Sequence, residues 1–240
     1  MITSAQRKVP GLLSRAELTE VQKDEMFSLL WRYFDGVTRP QFESDLEEKN
    51  WVIEIRKGAE LVGFSTLLME AKIYEGAPIT VVYSGDTIMA PDAWGSPMLA
   101  RTWIAAVNCL REDGPSRRCY WLLLTSGFRT YRFLPVFWRE FFPRYDAVTP
   151  PDQQRLLDRL ASDRYGCSYA ATTGLVRFPC PQRLRGRLSH IPPGRVHDPH
   201  VKFFLEHNAG YAVGDELVCL TELSNENLTP AGRRMVAPAR

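Results

Sequence analysis

Ile79-Thr80-Val81-Val82-Tyr83-Ser84-Gly85-Asp86-Thr87-Ile88-Met89 is the stretch whose reading decides the fold. It opens on a β-branched run, the composition of a half-buried or buried strand. A glycine and a carboxylate then interrupt it, and glycine inside a strand marks a bulge or the close approach of a ligand. Ala90 to Gly95 reads as a loop. Ser96-Pro97 opens a helix to about Arg111, with serine as cap and proline at the first helical position. Arg118 to Thr125 (RCYWLLLT) reads as a fully buried strand. Upstream, Trp51 to Arg56 alternates as WVIEIR, Lys57 to Glu60 is a turn, and Leu61 to Ala71 is rich in strand formers. Short connections between these strands and Ile79–Met89 predict an antiparallel meander.

Two helices precede the meander. Apolar residues from Leu18 to Phe34 recur at helical spacing within Ser14–Phe34, which Asp35-Gly36 ends. Pro40 to Glu48 is the second, and its acidic cluster (Glu43, Asp45, Glu47, Glu48) reads as a solvated face. After Ser126-Gly127 the pattern is helical through Phe128–Phe142, with Pro135 kinking or splitting it. Asp152 to Ser162 is a further helix, and strand-like stretches follow at Tyr165–Ala171 and Leu175–Phe178. Pro179 to Pro199 is rich in Pro, Gly and Arg, with no acidic residue before Asp198, and reads as a long loop. A short helix at Val201–His207, a turn at Ala209–Tyr211 and a final strand at Asp215–Thr221 complete the order, and the last dozen residues read as frayed.

The chain of 240 residues has 45% apolar and 24% charged residues, which excludes disordered and collagen-like classes. Thirty basic against 28 acidic residues give a formal charge of +2, too balanced for a nucleic-acid partner to be the default. Apolar runs fall far short of the roughly 20 residues of a membrane span. The first residues lack the pattern of a secretory signal, and five cysteines form no CxxC pair, so a reduced cytoplasmic setting is expected, with the cysteines as small core residues. No Gly-x-Ser-x-Gly elbow, Gly-Lys-Ser/Thr phosphate loop or GxGxxG fingerprint is present. His197-Asp198-Pro199-His200 with Cys180 lacks the spacing of a zinc site, and no metal is expected.

The order helix, helix, antiparallel meander, strand–loop–helix, strand–helix and closing strands resembles the Gcn5-related N-acetyltransferase (GNAT) fold over about residues 15 to 178. Ile79–Arg111, Arg118–Pro143 and Leu61-Val62-Gly63-Phe64 carry the likeness. It implies an α/β fold with a mixed, mostly antiparallel central sheet flanked by helices. The core would be residues 1–178, with 179–240 an extended segment packed on the same domain. It also implies two splayed strands with the pantetheine arm of acyl-coenzyme A, or of a related phosphopantetheine thioester, between them. Donor contacts would come from Ile88, Met89, Trp94, Gly95, Ser96 and Met98, because a loop entering a helix N-terminus suits phosphate. Trp94-Gly95-Ser96-Pro97 departs from the family's glycine-rich run, since Pro97 has no N–H.

In this resemblance Asp86 is the candidate base for an attacking amine, a role that partial burial favours by raising a carboxyl's pKa. Its structural alternative is a turn cap or an arginine partner. Aligning Phe141-Phe142 with the family's Gly-Phe puts Trp138 where a proton-donating tyrosine often falls, which leaves Tyr131 as the candidate acid or, alternatively, a core aromatic. Ser84, Thr125, Ser126, Arg129 and His207 are candidate substrate contacts; capping competes for Thr125 and Ser126, and a salt bridge for Arg129 and Arg132. The implied acceptor is a small-molecule amine. Acyl carrier protein is an alternative donor, docking on the arginines of 177–195, and a scaffold without catalysis is a third reading. Nucleic acid and membrane are not expected as partners, and the oligomeric state, a homodimer included, stays open.

Overall fold

The computed structural model describes residues 9–236 except Asp113, Pro115 and Arg117. The N-terminal part comprises β1 (Leu12–Ser14), α1 (Glu20–Tyr33), β2 (Phe34–Asp35) and α2 (Arg39–Glu47). The first helix starts later than its periodicity suggested. Ser14 caps a separate 3-10 turn at Arg15–Glu17, and Thr19, in a capping box with Gln22, opens α1. Three long strands follow: β3 (Trp51–Lys57), β4 (Glu60–Tyr74) and β5 (Ala77–Met89). They pair antiparallel, as the short connections required. Next come α3 (Met98–Glu112) and β6 (Cys119–Thr125). Ser96 Oγ accepts from the Met98 N–H, and the Arg101 N–H reaches back to the Pro97 carbonyl, so Ser96-Pro97 does start this helix.

The aromatic stretch after β6 is not one helix. It forms α4 (Phe128–Tyr131) and α5 (Phe133–Phe137), and Trp138 is already extended. Trp138 bridges to Leu228 and Phe142 to Leu220, so tertiary pairing overrides the helical pattern of 138–142. Then come α6 (Pro151–Tyr165), β7 (Tyr169–Ala170), β8 (Leu175–Val176), β9 (Arg183–Leu184), α7 (Pro199–His207), β10 (Glu216–Glu222) and α8 (Pro230–Val236). The expected strands at 165–171 and 175–178 shrink to two residues each, the first because α6 runs on to Tyr165 and a 3-10 turn takes Gly166–Ser168. The C-terminal stretch is not frayed over 230–236: α8 packs on α3 and α5, while 237–240 lie outside the described residues. Cys119 and Cys219 are core residues, but Cys167 and Cys180 are exposed.

The main sheet has the order β1-β3-β4-β5-β6-β10-β8-β7. Among the described residues β5 and β6 are its one parallel pair, so the sheet is mixed and mostly antiparallel. The last strand in sequence is not at the edge: β10 lies between β6 and β8. On one face Ile53, Leu67, Val82, Trp121, Leu123 and Leu217 pack on Trp103, Ile104 and Val107 of α3. The other face carries two separate apolar clusters. Leu68, Val81, Leu122 and Val218 meet Leu156, Leu157 and Leu160 of α6. Val52, Phe64 and Ile88 meet Met26 and Leu30 of α1 and Phe42 and Leu46 of α2. No helix among the described residues is long and apolar enough to cross a membrane.

Candidate functional site

The parallel pair is zipped only from Thr80↔Cys119 to Tyr83↔Leu122. Beyond it β5 continues to Met89 paired only with β4, and β6 continues to Thr125 paired only with β10. The two strands therefore fork, each presenting an inner edge whose backbone donors and acceptors have lost their neighbour. Such groups require partners. At the fork the Trp121 indole N–H donates to Ser84 Oγ (3.0 Å). Beneath it Trp103, Trp121 and Trp138 interlock, with ring centroids 4.2 to 6.0 Å apart. This aromatic plug keeps the base of the fork closed on the α3 side.

The interrupting Gly85-Asp86 is a bulge. Ser65 faces Thr87 and Leu67 faces Ser84, so two residues of β5 stand opposite Thr66 alone. Gly85 has no room for a side chain: a Cβ there would lie 2.5 Å from Thr66 Oγ1 and 2.6 Å from Lys49 Cε. The buried Lys49 thus runs directly beneath the bulge, its ammonium donating to the Asp45 carbonyl (2.7 Å). Burial, with Arg164 adding, lowers the Lys49 pKa, while Glu48, Asp45 and Asp86 oppose the shift.

Asp86 is half-buried two residues before Ile88, on the face of α1 and α2. Burial first, with the negative charge of Asp45 adding and Lys49 opposing, raises its pKa to about 6. Across the fork stands Glu216, the first residue of β10 and two before Val218, hence on the same face. Its neighbour Leu217 is registered with Thr125, the last residue of β6. Burial, with the charge of Asp86 adding, raises Glu216 to about 8. Neither carboxylate has a hydrogen bond or ion pair among the described residues. Their neighbours are paired: Asp215 takes Arg177 (2.8 Å), and Glu48 takes Arg164 of α6. The polar group therefore lies in the gap between the two apolar clusters of this face.

The other sequence candidates scatter. Tyr131 is 0% exposed, packed against Phe141, Phe203 and Phe204, and its hydroxyl donates to the Pro143 carbonyl (3.0 Å). Burial pushes its pKa far up. It is a core aromatic, which corrects the proposed acid. Ile88 is buried among the side chains on α1 and α2, so it offers only backbone. Met89 accepts the Trp94 indole N–H at its carbonyl (2.9 Å). Thr125 turns onto Gly127, accepting from its N–H (3.0 Å), the turn-closing alternative to substrate contact. Ser126 is half-buried beside it. His207 is exposed at the end of α7, stacked on Phe203 at 3.8 Å with Nδ1 at the Phe203 carbonyl.

At the mouth of the fork the donor loop spends its own donors. The Ser96 N–H goes to the Ala93 carbonyl, the Met98 N–H to Ser96 Oγ, and Pro97 has none, while Gly95 stands exposed with open space around it. The Arg129 guanidinium lies 3.8 Å from the Trp94 ring centre and 4.5 Å from that of Phe128, and donates to the Leu188 carbonyl (3.1 Å). It joins the residues after β5 to those after β6 through a cation–π stack. Arg132 instead pairs with Asp198 at 2.8 Å. The Arg/Pro-rich segment crosses the same end of the sheet. Pro181 abuts Gly214, and β9 pairs with β2, where Arg185 lies 3.3 Å from Asp35.

Sequence reasoning missed Glu216 and Lys49. Glu216 matters only because β10 inserts beside β6, and Lys49 only because the bulge glycine admits it. The acidic cluster read as a solvated face supplies Asp45 and Glu48 to this group.

With this geometry in hand, comparisons place known proteins beside the chain. No family model and no curated protein matches. Among solved structures it is similar to a probable N-acyltransferase of Enterococcus faecalis V583, a conserved protein of unknown function, at 13% identity and a TM-score of 0.40. That match covers 50% of this chain and 30% of that one. An aminoglycoside 6'-N-acetyltransferase complexed with coenzyme A is 11% identical over 89% of this chain and 97% of its own, at a TM-score of 0.37. A GCN5-related N-acetyltransferase from Kribbella flavida is 9% identical over 90% of this chain and 64% of its own, also at 0.37.

Proposed function

We propose that the chain is an N-acyltransferase that moves an acyl group from an acyl-coenzyme A thioester to the amine of a small molecule by direct attack. The observation that carries this reading is the fork between β5 and β6, with an unpaired carboxylate on a bulge of one arm. An extended amide-bearing arm such as pantetheine satisfies the inner strand edges as a missing strand would. The strand N–H groups that no neighbour takes can also stabilise the oxyanion of the attacked carbonyl. In this reading Asp86 accepts the proton of the attacking nitrogen, supported by its carboxyl being raised to about 6, ionised at neutral pH yet basic enough to serve. Met89, Trp94 and Gly95 lie where the donor's distal part would leave the fork, with Arg129 as its anion contact.

A second reading keeps the chemistry and changes the donor. The loop before α3 has few free N–H groups for a pyrophosphate, which favours a phosphopantetheine thioester on a carrier protein. Arg187 and Arg195 stand exposed on the 179–199 segment to receive an acidic partner.

Thermal unfolding with acetyl-coenzyme A tests the donor. Ligand at 100 times its dissociation constant adds about 2.7 kcal/mol, a rise of roughly 5–10 °C for a chain this size. A rise in that range supports the coenzyme A reading. No rise at millimolar ligand contradicts it, and stabilisation by an acylated carrier protein then supports the second.

A further inference from the structure

The acyl-transfer reading leaves a gap in its chemistry: a thiolate of high pKa leaves poorly unless it is protonated, and neither Tyr131 nor Trp138 can do this. The hydroxyl of Tyr131 is committed in the core, and indole is no acid at neutral pH. Resting on that reading, we propose that Glu216 is the general acid of the site, protonating the departing sulfur while Asp86 accepts the proton of the amine.

The placement carries the assignment. Asp86 sits on the bulge of one arm of the fork and Glu216, on β10, stands one position past the register of the last residue of the other arm, both on the same sheet face and both half-buried. A thioester laid in the fork would have Asp86 on its β5 side and Glu216 on the side of β6 and β10. Both are left without side-chain or backbone partners among the described residues, in a protein that pairs the neighbouring Asp215 and Glu48. Two carboxyls that face one space cannot both ionise easily, so one keeps its proton. The groups around them decide which. Asp86 has the Lys49 ammonium beneath its bulge, set against the charge of Asp45. Glu216 faces Asp86 and, from α6, Tyr165, with no cation among the groups that shift it. At neutral pH the base is therefore Asp86 and the acid Glu216.

The step balances. The amine nitrogen forms a bond to the thioester carbonyl carbon, and Asp86 takes its proton. The C–S bond breaks with its electron pair on sulfur, and Glu216 delivers its proton there, giving amide and free thiol. Solvent then carries the proton from Asp86 to Glu216 and restores both.

Two measurements test this. In the first, Glu216→Gln is compared with wild type on acetyl-coenzyme A and on S-(4-nitrophenyl) thioacetate, with the amine that wild type accepts best from a panel of primary amines. The nitrophenyl thiolate leaves without a proton. A general acid therefore predicts a loss of tenfold or more with acetyl-coenzyme A and less than twofold with the activated ester. Equal losses on both, or none, overturn the acid role while leaving acyl transfer intact. In the second, carboxyl carbon NMR follows Glu216 in the wild-type protein without substrate. Retention of the proton at pH 7, with earlier ionisation in Asp86→Asn, supports the pairing, and titration of Glu216 in the ordinary carboxylate range overturns it even if the glutamine variant fails to fold. Wild type that acylates no amine overturns the acyl-transfer reading itself, and the acid role with it.

Discussion

The two halves of the β5–β6 pair are built from neighbouring residues and do opposite things. From Thr80 to Tyr83 the strands are zipped, and Val81, Val82 and Leu122 bury their side chains on both faces. From Ser84 onward the strands part, Ser84, Asp86 and Thr87 bring polar side chains into β5, and two carboxyls appear without a hydrogen bond or ion pair among the described residues. The first half has the β-branched run and two-sided burial of a parallel strand, although the Thr80 and Tyr83 hydroxyls are buried there without a hydrogen-bond partner. The second departs from that pattern through a glycine bulge and unpaired acids, and such breaks are where function is expected. Stability resides in the zip and chemistry in the fork.

Breaking the zip has the largest expected effect on folding. Trp121→Ala removes the centre of the tryptophan plug and the Ser84 tether, and costs about 3–5 kcal/mol as a large aromatic core deletion. Differential scanning calorimetry reads this as a fall of roughly 10 °C. Gly85→Val strikes the boundary between the halves. Its side chain meets Thr66 and Lys49, so about 1–3 kcal/mol is lost through overpacking. It also displaces Lys49 from beneath Asp86, so activity falls further than stability does.

The fork shows itself in pH dependence. The folded-state pKa values of Asp86 and Glu216, about 6 and about 8, lie above those of an unfolded chain, so the native state binds more protons between about pH 4 and 8. Stability from these two groups is fully present below pH 4 and is lost as pH rises through 8. Chemical denaturation of the Asp86→Asn/Glu216→Gln double variant should show a flatter profile and a protein more stable than wild type at pH 8. Lys49→Met removes the cation that opposes Asp86's upward shift, so the acidic limb of the rate profile moves to higher pH. The smallest effect belongs to the surface. Arg159→Ala breaks an exposed pair with Asp163 on α6 and changes stability by about 0.5 kcal/mol or less.

The same contrast explains what the sequence disclosed. The zipped strands, the meander and α3 are local patterns: alternation, β-branched runs and a Ser-Pro start, each readable within a dozen residues. Gly85-Asp86 was legible as well, because a glycine in a strand has few other uses. Glu216 was not, since β10 becomes the neighbour of β6 only by inserting between β6 and β8 at a separation of some ninety residues. Lys49 follows directly on the acidic helix expected over 40–48 and carried no signal of its own, and Tyr131 read as a candidate acid or a core aromatic, until packing placed one under the bulge and the other in the core. The helix expected through Phe142 failed for a related reason. Its aromatic spacing is helical, but Trp138 and Phe142 find strand partners in Leu228 and Leu220, distant in sequence.

The central claim is that the open half of the fork is an acyl-transfer site with Asp86 as its base, and turnover of Asp86→Asn tests it most directly. The account expects acyl transfer from thioester to amine to fall tenfold or more, with an unfolding temperature at pH 8 equal to or above that of wild type. Unchanged turnover, or a loss of activity that merely follows a loss of folding, would contradict it.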